Sequence, residues 1–280
     1  MRLNNLFLFG MFPILFTSCM TASFYQVYKA VPSEELTLKE NAIVYEDENC
    51  KISYNLWREN GNIGFQFYNR TENNIYLNLE ECFFILNGVS YNYFKNRIYT
   101  ESSMSGITSS RGVDFSKSVT GINYSNLTQT NKSSIYNING VTTTNGLSVS
   151  YYEEKVICIP SKTSKIIMEY NVNSSFIHNC ELYRFPTKKG IQTKTFTKND
   201  SPLTFGNRIA YSLGKNEKQI TIENEFYVSE ICNYPESEMF DRIYEEYCEQ
   251  KSPFSTTVFK NAAPDKFYIT YKKDNDIRIH

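Results

Sequence analysis

Between residues 50 and 67, hydrophobic side chains recur at every second position on both sides of an Asn-Gly pair. Cys50, Ile52, Tyr54 and Leu56 alternate with Lys51, Ser53 and Asn55. The chain then passes Glu59-Asn60-Gly61-Asn62, and Ile63, Phe65 and Phe67 alternate again. A period of two marks a strand with one buried face, and Asn-Gly accepts the positive φ that a tight hairpin demands. The spacing predicts a hairpin turning at Asn60-Gly61. The same pattern returns at Ile75, Leu77 and Leu79. Phe83–Leu86 is a continuous apolar run, and Asn87-Gly88 then turns it into residues 89–94.

Further strand patterns lie at residues 20–31, 42–45, 156–159 (ended by Pro160), 166–172 and 182–185. Residues 208–213 and 219–222 flank a turn at Gly214-Lys215-Asn216-Glu217, and 226–228 and 267–271 complete the set. The 22 Tyr and 20 Phe among 280 residues favour strands. Many short strands joined by tight turns predict an all-β fold, an antiparallel, immunoglobulin-like β-sandwich. One stretch has a helical period: Met239, Ile243 and Tyr247 at i, i+4 and i+8, with Phe240 and Tyr244 beside them. Pro235 and Ser237 near its start, with Glu236 and Glu238 in its first turn, predict a peripheral helix over 236–249. In residues 101–150, Ser, Thr, Asn and Gly make up 30 of 50 positions. So little apolar surface does not repay ordering, which predicts a mobile insertion and a place for partner contact.

The N-terminus sets the expected compartment. Arg2 precedes an 11-residue apolar run, Leu6–Phe16, too short for a span and right for a signal peptide. The run ends in Leu15-Phe16-Thr17-Ser18-Cys19, which resembles a bacterial lipobox. That resemblance implies a signal peptide over 1–18, cleavage between Ser18 and Cys19, and acylation of Cys19. A lipid-anchored start at 19–22 then leads into one domain over 23–280. Several acyl chains hold a protein on a membrane where one does not. Ser18-Cys19 with Ser23–Lys29, and Ile75–Asn78 with Phe84–Gly88, resemble uncharacterised outer-membrane lipoproteins of Bacteroides-type bacteria (Bacteroidota). The resemblance implies a compartment and a fold type and carries no catalytic residues. Met20 rather than Asp follows Cys19, and no early acidic run follows. Both point to the outer membrane, on its periplasmic face rather than the cell surface.

Apart from Cys19, six cysteines remain: Cys50, Cys82, Cys158, Cys180, Cys232 and Cys248. In an exported chain this number permits one to three disulfides, and buried thiols are the other reading. Their spacing selects no pairing. No C-x-x-C occurs and only His178 and His280 exist, so a Cys/His zinc site is not expected.

Lys plus Arg is 29 and Asp plus Glu is 30, so no bulk positive charge exists for nucleic acid. No nucleophile-elbow, zinc-protease, phosphate-loop or calcium-loop motif occurs, and no cofactor is implied. His178 stands near Cys180, but a Cys-His pair needs a positioned imidazole. The adjacent acids Glu80-Glu81, Glu153-Glu154 and Glu245-Glu246 could serve hydrolysis only if both members faced one cleft, whereas strand neighbours face opposite ways. Trp57 and the many Tyr fit a sandwich interior before a sugar platform. The expectation is a non-catalytic binding or structural module, held on the membrane through Cys19, with an envelope protein or glycan as partner. The alternatives are an envelope glycan hydrolase using paired carboxylates and a fimbrial or adhesin-like subunit.

Overall fold

The computed structural model describes residues 22–105, 121–123, 128–130, 145–215, 217–248 and 250–273. The chain opens with β1 (Ser23–Pro32), a two-residue β2 (Thr37–Leu38), β3 (Ile43–Glu46), β4 (Cys50–Tyr54) and β5 (Phe65–Asn69). After β6 (Ile75–Asn78) a 3-10 turn over Leu79–Glu81 leads to β7 (Phe83–Leu86) and β8 (Val89–Asn92). Then come β9 (Ile98–Ser105), the short pair β10 (Gly121–Asn123) and β11 (Thr128–Thr130), and β12 (Asn145–Tyr152). β13 (Val156–Ile159), β14 (Ser164–Ile167), β15 (Thr193–Thr195), β16 (Thr204–Ser212) and β17 (Ile220–Pro235) follow. One helical turn, α1 (Glu236–Met239), precedes β18 (Phe240–Tyr247), β19 (Gln250–Phe259) and β20 (Lys266–Lys272).

Among the described residues, nine strands form one antiparallel sheet along the path β13-β6-β16-β17-β1-β20, with β7, β8 and β15 attached at its sides. Five strands, β14-β5-β4-β3-β2, form the second. The inward faces of the two sheets meet in one core, as a sandwich requires. Tyr54 and Phe67 of the smaller sheet pack against Phe226 and Tyr211 of the larger, with centroids 5.3 and 5.4 Å apart. Buried amides tie the layers: the Tyr54 hydroxyl donates to the Asn224 side chain at 2.8 Å, and the Asn207 side-chain amide donates to the Ile63 carbonyl at 2.9 Å. β1 is buried on both faces. Tyr28 stacks on Phe267 inside at 4.6 Å, while Tyr25 and Val27 lie outside under Met239. Double burial explains why β1 is mostly apolar on both faces rather than strictly alternating.

The expected hairpin at Asn87-Gly88 forms: both residues take positive φ and Leu86 pairs with Val89. The turn between β16 and β17 also forms, with the Glu217 N–H donating to the Gly214 carbonyl. Asn60 and Gly61 take positive φ as well, but they do not close a two-residue hairpin. β4 and β5 first pair at Tyr54 and Phe65, leaving a ten-residue connection. Long-range bonds hold it instead: the Asn60 N–H donates to the Tyr268 carbonyl and the Val172 N–H to the Gly61 carbonyl.

Further expectations need correction. The helix expected over 236–249 lasts one turn, and residues 240–247 form β18 paired with β19. Met239, Phe240 and Phe259 already close the outer surface over Tyr25, so a longer helix would gain no further apolar surface there. Thr256, Thr257 and Val258 opposite are β-branched and favour a ladder. The insertion over 101–150 is not loose from its first residue: Ile98–Ser105 pairs with Asn145–Tyr152 through eight positions. Main-chain bonds make a ladder whatever the side chains, so Ser and Thr do not prevent it. The expected mobility of 106–120, 124–127 and 131–144 lies outside the described residues, as do the N-terminal signal and the tail from 274. The strand expected at 182–185 is irregular chain, and the pattern at 166–172 is strand only through Ile167.

Candidate functional site

At the foot of the β9–β12 ladder lies a cleft of about 420 Å³, lined by Tyr93, Arg97, Tyr99, Tyr152, Glu153 and Glu169 among others. β14 ends at Ile167, so Met168 and Glu169 leave the sheet and turn to the cleft. β12 ends at Tyr152 just before Glu153, and β8 ends at Asn92 before Tyr93, Lys95 and Arg97. Three strand ends thus converge on one place.

Arg97 is the hub. Its guanidinium meets Glu153 at 2.5 Å and both oxygens of Glu169 at 2.9 and 2.8 Å. Lys95 meets Glu169 at 2.7 Å. The second Glu153 oxygen accepts the backbone N–H groups of Lys95 and Arg97 at 2.9 and 3.1 Å. The Glu153 side chain is only 6% exposed. Its burial pushes the carboxyl pKa up, but the Arg97 guanidinium and the two backbone donors outweigh burial and hold it below the ordinary value. Glu153 pushes the Arg97 pKa further up in return.

Aromatic rings surround the charges. Tyr152 at the cleft is 73% exposed. On the neighbouring surface Tyr170 stacks on Phe84 at 5.1 Å and carries the Lys95 ammonium 4.6 Å over its face. The Tyr170 hydroxyl donates to the Asn92 carbonyl. Fixed rings beside fixed charges suit the binding of a polar ligand with apolar faces. A general acid needs a carboxyl that is protonated near neutral pH. Glu153 is shifted the other way.

Of the three adjacent acid pairs, Glu153 and Glu154 both line the cleft just past the end of β12, Glu153 partly buried and Glu154 exposed. Glu80 pairs with Lys155, and Glu81 is exposed. Glu245 takes a bond from Thr256 at 3.3 Å on the exposed β18–β19 pair, and Glu246 is exposed. The partner of Glu153 is Glu169, reached through Arg97. No local spacing announces a contact across 72 residues, so the sequence reading missed Lys95, Arg97 and Glu169.

His178 packs edge-on against Phe176 at 4.9 Å, and Cys180 is an exposed thiol. All six described cysteines are free thiols: Cys50, Cys82 and Cys232 buried, Cys158, Cys180 and Cys248 exposed. No disulfide links them in this structure, and Cys158 on β13 is exposed. Trp57 lies against Phe259 and Tyr268 on the outer side of the large sheet. Among the described residues, no group of three His, Cys, Asp or Glu is placed to hold a metal, and no helix is long and apolar enough to cross a membrane. Ser18, Cys19 and His280 lie outside the described residues.

The class defined by this arrangement is an antiparallel β-sandwich with a charged, aromatic cleft at the root of an insertion. Comparison with known proteins finds no matching family model, no similar curated protein and no similar solved structure.

Proposed function

We propose that this chain is a lipid-anchored envelope protein whose cleft binds a glycan without cleaving it. Two lines support the reading. The lipobox-like ending at Ser18-Cys19 supports anchoring at the outer membrane, on its periplasmic face. The observation that carries the binding role is the cleft itself: Glu153 and Glu169 are engaged by Arg97, and the ring of Tyr152 stands exposed beside them. Sugar rings offer apolar faces to an aromatic ring and hydroxyls to charged partners. The volume is of the size that takes a small ligand.

Titration calorimetry with soluble envelope polysaccharide fragments tests the cleft. Tyr152→Ala is expected to weaken binding about tenfold, or about 1.4 kcal/mol. Unchanged affinity removes the cleft from the function. New reducing ends in the mixture would establish the hydrolase reading instead. Fractionation tests the anchor: wild-type chain needs detergent for release, and Cys19→Ala does not.

A further inference from the structure

We infer that the β18–β19 hairpin is an arm that contacts the membrane surface, a proposal that rests on the Cys19 anchoring above. The hairpin forms a two-stranded sheet of its own and leaves the sandwich. Nearly every side chain along it is exposed. Tyr247 and Phe254 are 83% and 79% exposed, the highest values among the large hydrophobic side chains described, and Tyr244 on the same hairpin is 61% exposed. A soluble chain gains nothing from presenting three aromatic rings to water on one projecting element.

The base of the arm is fixed. Phe240 and Phe259 pack on each other at 4.6 Å and on Tyr25, and Phe259 also meets Trp57. The Lys260 N–H closes the neck on the Met239 carbonyl at 2.9 Å. This base stands at the end of the sandwich where β1 begins. Phe24 pairs with Pro235, which leads directly into α1 and the arm. Ser23 lies four residue steps after Cys19, a reach of at most about 14 Å. Eight residues of β18 span about 26 Å. An acylated Cys19 therefore brings the bilayer within reach of the arm, while the Pro32 end of β1 stays remote.

The chemistry fits the interfacial zone. Tyr and Phe partition to the headgroup boundary, where a ring is half apolar and half wet. Asp241, Glu245 and Glu246 outnumber Arg242 on β18, so the attraction is not to anionic lipid. A zwitterionic surface is the occupant the arm suits.

The test uses the full-length acylated protein in phosphatidylethanolamine–phosphatidylcholine vesicles carrying lipids brominated near the headgroup. In a Trp57→Phe background, Tyr247→Trp supplies a reporter on the arm. Val89→Trp supplies one on the hairpin beside Thr204, at the opposite end of the sandwich. The Tyr247→Trp chain is expected to shift its emission to the blue and lose intensity to the brominated lipid, and the Val89→Trp chain to do neither. If the protein floats with the vesicles yet Tyr247→Trp behaves like Val89→Trp, the arm proposal is overturned and anchoring stands. If the wild-type chain floats no better than Cys19→Ala, the anchoring reading fails and takes the arm proposal with it.

Discussion

Arg97 illustrates how much one side chain carries. It compensates Glu153, which is nearly excluded from water, and holds Glu169 with it. Replacing Arg97 by Gln strands the Glu153 charge, and the expected cost is about 2 kcal/mol at pH 7, read by urea denaturation. The sign of the pH dependence follows from the lowered Glu153 pKa. A depressed carboxyl stabilises the fold above its unfolded value, near 4.3, and that stabilisation is lost as pH falls through the lower folded value. The gap between wild type and Arg97→Gln is therefore expected to narrow below pH 4, and a constant gap would show that the charge is not its source. The thiols make a second prediction at this scale. Burial pushes the Cys82 thiol up to about 12 and Cys50 higher still. Alkylation of native protein at pH 8 should modify Cys158, Cys180 and Cys248 quickly, and Cys50, Cys82 and Cys232 only on unfolding. Mass spectrometry counts the two classes, and six fast thiols would contradict the buried placements.

Elements differ in how far local chemistry settles them. The Asn87-Gly88 hairpin was legible because both turn residues accept positive φ and the flanking runs pair at once. Gly206 was not singled out. A Cβ there would stand 2.3 Å from the Asn224 carbonyl oxygen of the neighbouring strand. Gly206→Ala must push β16 from β17, and a loss of about 2 kcal/mol in denaturation at unchanged slope is expected. The stretch after Pro235 shows the opposite case. Met239, Ile243 and Tyr247 carry a helical spacing, yet only Met239 finds a surface to cover. A periodic pattern states which residues share a face, and the presence of a partner for that face decides whether the pattern is used.

At the scale of the whole molecule, the proposed anchor at Cys19 and the proposed binding cleft occupy separate parts of the chain. Cys19→Ala is expected to leave the thermal unfolding midpoint and the glycan affinity unchanged while abolishing flotation with vesicles. A lowered midpoint would mean that the N-terminal segment contributes to the fold. The sequence by itself determined the all-β class, most strand positions and the turn at Asn87-Gly88, because alternation and positive φ act over a few residues. Only the tertiary structure decided which strands share a sheet, how Asn60-Gly61 is held by Tyr268 and Val172, and that Arg97 and Lys95 meet Glu169. It also decided that β18 is a strand, with its aromatic rings left in water. Apart from the β18–β19 hairpin, whose paired residues lie 3 to 19 positions apart, those outcomes depend on contacts between residues tens to hundreds of positions apart. Their gain appears only once chain closure has been offset by packing elsewhere, and no local spacing records it.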